Sequence, residues 1–128
     1  IHIGPSFEHT KELEQELSDS YELIKYVPSL IEEFSKYDLA ITGGGITPFE
    51  ANASGLPCII VANEFHEIDN AIVLESIGSS KFIGFYKNID EGLFKSLDKF
   101  NISRMSERGL KHLDTMANSK IYMEIKKL

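Results

Sequence analysis

The sequence contains a single cysteine, Cys58, which lies within an apolar run. A disulfide within the chain and a cysteine-based metal cluster are therefore excluded, and this predicts a reducing, cytoplasmic location. No apolar run approaches the ~18 residues of a membrane-spanning helix, so we expect no membrane span. The first ten residues lack the basic segment and long apolar stretch of a signal peptide. They also lack an initiator methionine and open in a strand-like run, which predicts a fragment.

Basic residues are fewer than acidic ones, 13 against 20, and the formal net charge is −7. This balance argues against broad nucleic-acid binding, which needs a basic face. Several catalytic motifs are also absent: there is no GxxxxGK[ST] phosphate loop, no GxSxG elbow and no HExxH. A dinucleotide-binding GxGxxG would need a glycine where Pro48 stands, so an oxidoreductase of that kind is disfavoured.

The length of 128 residues is typical of a single domain. Along the chain, the spacing of apolar residues alternates between patterns typical of strands and of helices. This alternation predicts an α/β fold: a Rossmann-like parallel sheet with helices on both faces. The predicted strands are Ile1–Gly4, Tyr21–Val27, Asp38–Thr42, Pro57–Ala62 and Lys81–Tyr86. The predicted helices are Glu8–Leu17, one capped by Ser29, Thr47–Ser54, Ile68–Ile77, Asp90–Phe100, and one or two from Ser103 with a break near Asn118 and Ser119.

The stretch Asp38–Pro57 joins a buried strand, a glycine turn and a short helix. Glycines allow close approach to a ligand, and free N–H groups at a helix start attract anions. Because no Lys or Arg occurs between Lys36 and Lys81, a phosphate here would rely on backbone N–H groups and the Thr47 hydroxyl. A structural interpretation stays open at this point: Thr47 and Glu50 fit a capping box, and the glycines could supply positive φ angles.

The same stretch resembles a signature of GT-B-fold enzymes that act on nucleotide-sugars, in their C-terminal half. The resemblance rests on Gly44-Gly45-Ile46-Thr47, Glu50, and Ala53-Ser54-Gly55-Leu56-Pro57. It points in particular to the group of the pseudaminic-acid UDP-sugar hydrolase and the SpsG-type spore coat polysaccharide biosynthesis protein. The peptidoglycan GlcNAc transferase MurG is a more distant relative with the same spacing.

The resemblance implies a site for a UDP-sugar, with no cofactor and no metal. The backbone of Gly44, Gly45, Ile46 and Thr47 would hold the diphosphate, and Glu50 would accept hydrogen bonds from the ribose. Asn70 would lie on the helix that faces the sugar, together with His66 before it. His66 also has a plainer interpretation as a solvated loop histidine. Glu64, Glu67 and Asp69 are interpreted as a solvated helix start rather than a metal patch.

The resemblance further implies what this chain does not supply. GT-B enzymes carry the catalytic base on an N-terminal half, so the catalytic residues are unknown here and the chain alone is expected to be inactive. Residues 1–128 would form one nucleotide-sugar-binding domain of a two-domain hydrolase or glycosyltransferase. The alternative is a non-catalytic half of a split two-subunit transferase that binds nucleotide or a partner chain. Self-association into a homo-oligomer is a further possibility.

The family's first C-domain strand also has no counterpart in the sequence. In the family's strand order, 3-2-1-4-5-6, that strand separates the second from the fourth. Ile1–Gly4 corresponds to the second and Asp38–Thr42 to the fourth. We therefore expect that the chain closes the gap directly, borrows a strand, or belongs to a longer protein.

Overall fold

The computed structural model describes residues 1–127, except for the side chains of residues 91, 94, 117 and 118. Backbone contacts divide the chain into two compact units, Ile1–Glu33 and Phe34 onward. None of the helices in residues 1–127 has the length and apolar content needed to cross a membrane.

The first unit contains helix α1, Thr10–Glu16, and one short extended pairing. The strands predicted over Ile1–Gly4 and Tyr21–Val27 are corrected here to a single parallel bridge between His2 and Ile24. The Ile3 N–H donates to the Ile24 carbonyl at 3.1 Å, and the Ile24 N–H donates to the Ile1 carbonyl at 2.8 Å. Pro5 and Pro28 limit these runs because proline cannot donate to a ladder.

Helix α2, Leu30–Phe34, begins where the sequence predicts a cap. The Ser29 hydroxyl oxygen accepts a hydrogen bond from the Glu32 N–H at 3.4 Å. This is the side-chain capping that serine provides at a helix start.

The second unit alternates strand and helix and then ends in helices. Its elements are β1 Ala40–Thr42, α3 Thr47–Ala53, β2 Cys58–Ala62, α4 Phe65–Ile77, β3 Ser80–Phe85, β4 Asn88–Ile89, α5 Glu91–Phe94, a 3₁₀ turn Leu97–Lys99, α6 Ile102–His112 and α7 Ala117–Ile125. The α/β class and the Rossmann-like, largely parallel sheet are confirmed.

The sheet has the order β1-β2-β3-β4. β1, β2 and β3 are parallel, with Ala40 beside Cys58 and Cys58 beside Ser80, whereas the unpredicted β4 is antiparallel to β3. Successive strands are added on one side, so right-handed crossovers place α3 and α4 on the same face. α6 contacts both helices. Within the described residues β1 pairs only with β2 in this sheet.

The core lies around β2, as its nearly continuous apolar sequence predicts. Cys58, Ile59, Ile60 and Ala62 are completely buried. Burial raises the pKa of the Cys58 thiol to about 12, despite the opposing effect of a hydrogen bond with Asn52. The interpretation of Cys58 as a core residue is therefore confirmed.

Two predicted helices differ from the observed ones because side chains compete with the helical hydrogen bonds. The segment Asp90–Phe100 is not one helix but α5 followed by the 3₁₀ turn. At this break the Ser96 hydroxyl donates to the Leu93 carbonyl at 3.1 Å. The later break lies between α6 and α7, before Asn118, where the Asp114 carboxylate accepts from the Met116 N–H at 2.8 Å.

Helix α4 begins three residues earlier than predicted, at Phe65, and ends at Ile77 as predicted. Gly78 follows with a φ of +84°, the left-handed conformation that ends helices and favours glycine. Gly55 after α3 has the same conformation, with a φ of +85°. Both predicted helix ends are therefore confirmed.

Candidate functional site

The glycine turn Gly43–Gly45 follows β1 and leads into α3. β2 is parallel to β1 and leads through Asn63 and Glu64 into α4. The two segments therefore lie at the same edge of the sheet, beyond the carboxyl ends of the strands. Ligands of open α/β sheets bind at this edge.

The turn needs glycine because of close packing, not because of positive φ. Among the described residues, positive φ occurs only at Gly55, Gly78 and Gly84, so that part of the sequence interpretation is wrong. A Cβ on Gly44 would lie 2.7 Å from both the Glu67 Cβ and the Glu67 carbonyl oxygen. Because real Cβ atoms do not approach that closely, the absence of a side chain lets the first turn of α4 lie against the glycine turn.

The Glu67 carboxylate connects the two segments. Its Oε2 accepts hydrogen bonds from three backbone N–H groups: Asn63 at 2.7 Å, Gly44 at 3.2 Å and Glu64 at 3.3 Å. Partial burial alone would raise the pKa of the Glu67 carboxyl, but these donors and the neighbouring His66 outweigh it, and the pKa lies below its ordinary value. The carboxylate therefore binds the backbone donors as an ion.

Glu67 is the residue of this site whose role the sequence interpretation missed. The sequence pattern indicates only a solvated helix start for Glu67, together with Glu64 and Asp69. Glu64 is the N-cap of α4 and Glu67 is the third helical residue, where a glutamate reaches back to the N-cap N–H. That spacing could have indicated the local contact, whereas the bond to Gly44 depends on the tertiary fold. Among the described side chains, no group of three or more His, Cys, Asp or Glu is arranged to hold a metal ion.

Asn70 lies one turn further along α4 and also contacts the glycine turn. Its Nδ2 donates to the Gly44 carbonyl at 2.9 Å. Glu67 and Asn70 thus bind both backbone polar groups of Gly44, which is buried. The structure therefore brings the predicted residue Asn70 to the turn, where it holds the backbone in place.

Three backbone N–H groups after Gly44 remain without an acceptor in the part of the chain that the structure describes. They belong to Gly45, Ile46 and Thr47, and the Thr47 hydroxyl is also unpaired there. The Ile46 side chain is 75% exposed, so this end of the turn is open to solvent. Adjacent unpaired N–H groups at a helix start are suited to bind an anion.

Glu50 lies on α3, one turn beyond these donors, and its side chain is exposed. The capping box predicted for Thr47 and Glu50 is wrong. The N-cap is Ile46 in a helical conformation, Thr47 is already inside the helix, and no side chain caps this end. The Glu50 carboxylate has no partner in the described part of the chain, so no described structural role competes with ligand binding.

His66 is exposed in the first turn of α4, next to Glu67. Phe65 before it is 77% exposed and stacks on Phe85, with ring centroids 5.0 Å apart and planes at 6°. Phe85 ends β3, and Tyr86 packs on it at 4.7 Å. An imidazole and exposed aromatic rings therefore lie together at the same edge of the sheet.

Residues 1–126 match the family model described as the glycosyltransferase family 28 C-terminal domain. The chain belongs to this family. It is therefore a domain of the GT-B C-terminal type, as the resemblance implied at this coarser level.

A solved structure supports the fold of this family 28 domain. It is the crystal structure of MurG from Acinetobacter baumannii, with a TM-score of 0.72 and 22% sequence identity. The match covers 84% of this chain and 33% of the MurG chain, so the domain spans about a third of that protein. The search of curated proteins gave no match.

Proposed function

We propose that this family 28 domain binds the nucleotide-sugar donor of a GT-B enzyme, with UDP as the nucleotide. The observation that carries the proposal is the row of unpaired N–H groups at Gly45, Ile46 and Thr47, at the ligand-binding edge of the sheet. Family membership supports it, since the match covers nearly the whole chain.

The diphosphate binds these three N–H groups and the Thr47 hydroxyl. Gly44 was expected to contribute as well, but its N–H is bound to Glu67 and its carbonyl to Asn70. In this proposal Gly44 therefore serves by fixing the shape of the turn. Since no Lys or Arg occurs between Lys36 and Lys81, backbone dipoles supply the positive potential from this part of the chain.

The remaining predicted residues flank the diphosphate position on two sides. Glu50 accepts hydrogen bonds from the two ribose hydroxyls, a role that its exposed, unpartnered carboxylate leaves available. His66 and Asn70 on α4 lie toward the sugar, where Asn70 has its Oδ1 available while Nδ2 holds Gly44.

Calorimetric titration with UDP, UDP-GlcNAc and NAD tests this proposal. We expect UDP and UDP-GlcNAc to bind and NAD not to bind. Glu50→Gln should weaken UDP binding by about tenfold, and Thr47→Val, which keeps the N–H, by several-fold. Neither should change the melting temperature by more than about 2 °C, because neither side chain has an internal partner.

Glu107→Gln is the matched control, since Glu107 is exposed on α6 and has no partner in the described residues. It removes the same charge and should leave UDP binding unchanged. Binding of NAD without UDP would refute the proposal. An equal loss of UDP affinity in Glu107→Gln and Glu50→Gln would show a nonspecific charge effect instead of ribose recognition.

At the finer level, we propose displacement at the anomeric carbon of a UDP-sugar. Water as acceptor gives a hydrolase of the pseudaminic-acid type, and a sugar or lipid hydroxyl gives a transferase. The context would be nonulosonic-acid or surface polysaccharide biosynthesis, including spore coat polysaccharide of the SpsG type. The catalytic base belongs to an N-terminal half, carried by the same protein or by a partner chain.

An assay of UDP release distinguishes the donor-binding half of an enzyme from a non-catalytic half. With an N-terminal half present, UDP release into water supports the hydrolase, and release only with an added hydroxyl acceptor supports the transferase. UDP binding without turnover under both conditions would favour the non-catalytic half of a split two-subunit transferase.

A further inference from the structure

A second candidate site lies at the other end of α4. A cleft of about 280 Å³ is lined by the helix end and by the segment leading into α6. Its lining includes Gly78, Lys99, Phe100, Arg104, Met105 and Arg108. α4 has 13 residues and begins beside Gly44, so its length separates the two sites by about 20 Å.

The cleft is basic although the protein is acidic. It contains the chain's two arginines, Arg104 and Arg108, together with Lys99, and none of the lining residues that the structure describes is acidic. Among the side chains that the structure describes, no carboxylate forms an ion pair with these three cations. Three cations without a carboxylate partner among those side chains therefore line one cavity in a chain with a net charge of −7.

The positive charge of Arg104 does not stabilise the helix in which it lies. It lies in the first turn of α6, which contains no acidic residue. The positive end of a helix dipole disfavours a cation at this position. The Asn101 side chain already caps the helix by accepting from the Arg104 N–H at 3.0 Å. The guanidinium thus adds positive charge where the helix gains nothing from it.

Arg108 has a partial structural role. Its Cγ lies 3.7 Å from the position of a Cβ on Gly78, so its aliphatic stem covers the end of α4. Its Nη1 lies 3.4 Å from Nε2 of His112. Neither contact neutralises the guanidinium charge, and the carbonyls at the C-terminal end of α4 attract a cation only weakly.

We propose that this cleft binds a phosphate ester through its phosphate group and the carbon atoms attached to it. Guanidinium groups donate two parallel hydrogen bonds that match phosphate oxygens, and a lysine adds a third positive charge. Phe100 and Met105 in the lining provide the apolar contact for the attached carbon atoms. Such a phosphate can come from a soluble phosphomonoester or from a phospholipid headgroup.

Two titrations of the protein distinguish these sources. In the first, glycerol 3-phosphate is added and amide shifts are followed by NMR. In the second, vesicles of phosphatidylglycerol are compared with vesicles of phosphatidylcholine in a sedimentation assay. We expect Arg104→Gln and Arg108→Gln each to weaken the binding by about tenfold. Arg104→Gln is the decisive variant, because Arg104 has no packing role through which folding could be lost.

Lys11→Gln is the charge-matched control, since Lys11 is exposed on α1 and does not line the cleft. Binding of glycerol 3-phosphate that depends on the arginines supports a soluble ligand. Binding of phosphatidylglycerol vesicles alone, with the same dependence, supports a headgroup. Absence of both, or an equal loss in Lys11→Gln, would overturn the proposal.

The glycine turn could itself bind a phosphate, so UDP affinity is measured in the same variants. We expect Arg104→Gln to bind UDP as tightly as the unaltered protein does. If Arg104→Gln lost affinity for UDP and glycerol 3-phosphate in parallel, the phosphate would be bound at the turn, and the cleft proposal would be wrong. This outcome leaves the proposed nucleotide-sugar function standing.

Discussion

Replacing Glu67 by alanine removes the acceptor that joins the glycine turn to α4. Of the three N–H groups that lose their partner, that of Gly44 belongs to a buried residue and cannot readily turn to water. Its loss costs about 1–3 kcal/mol. The N–H groups of Asn63 and Glu64 are exposed and regain water, so they cost about 0.5 kcal/mol each, as weak caps do. We therefore expect a total loss of about 2–4 kcal/mol.

Urea unfolding at pH 7 measures this loss, with Asp69→Ala as the control. Asp69 is exposed on the same helix and has no partner in the described residues, so its removal should change the free energy of unfolding by less than about 0.5 kcal/mol. Glu67→Gln keeps an acceptor oxygen and should fall between the two. A loss below about 0.5 kcal/mol in Glu67→Ala would refute the reasoning.

The pH dependence provides a second check on the same residue. The Glu67 pKa is lowered in the folded state, so its contribution is present above the unfolded pKa of about 4.3 and is lost as the pH falls through the folded value. The difference in stability between the unaltered protein and Glu67→Ala should thus be constant from about pH 7 to pH 5 and shrink at lower pH. A difference that persisted unchanged to the lowest accessible pH would contradict an ionised acceptor.

Three further predictions concern packing and burial. Gly109→Ala would place a Cβ 2.4 Å from the Asn52 carbonyl oxygen. Thermal unfolding should therefore show a loss of stability of about 2 kcal/mol, despite the gain in helix propensity. The control Gly4→Ala should be nearly neutral, because its Cβ would meet no atom within 4 Å. Asn52→Ala would remove the oxygen that accepts a hydrogen bond from the buried Ser80 hydroxyl at 2.8 Å. The free energy of unfolding in urea should fall by about 2–3 kcal/mol. A double-mutant cycle with Ser80→Ala that showed no coupling would contradict this. Cys58 should resist alkylation at pH 8 in the folded protein and react after denaturation. The reason is that the buried thiol has a pKa of about 12 and stays protonated at this pH. Rapid labelling of the folded protein would disprove the burial of Cys58.

Local sequence patterns predict the glycine turn and its neighbouring elements only in part. The buried strand β2, the glycine turn and the helix ends at Gly55 and Gly78 are predictable because they depend on neighbouring residues. The reason for glycine at position 44 is not predictable in this way. It depends on Glu67, 23 residues away, whose backbone approaches the turn because β2 pairs with β1 and leads directly into α4.

The capping assignments around the turn fail for the same reason. Thr47 and Glu50 have the spacing of a capping box, yet Ile46 occupies the cap position and leaves both side chains unpaired in the described residues. A local pattern identifies groups that could bond, whereas the packing of neighbouring elements decides where the helix starts. The correction strengthens the proposed role of Glu50, since the carboxylate is not needed by the helix.

The sequence by itself determined the α/β class and the position of the turn at a strand end, because these follow from periodicity along the chain. The family follows from the match of residues 1–126 to the family 28 C-terminal domain. Only the tertiary structure decided that Glu67 and Asn70 hold Gly44, and that the two arginines share a cleft with the end of α4. Both arrangements join residues more than twenty positions apart. Their geometry is set by how the helices pack on the sheet, which no local pattern specifies.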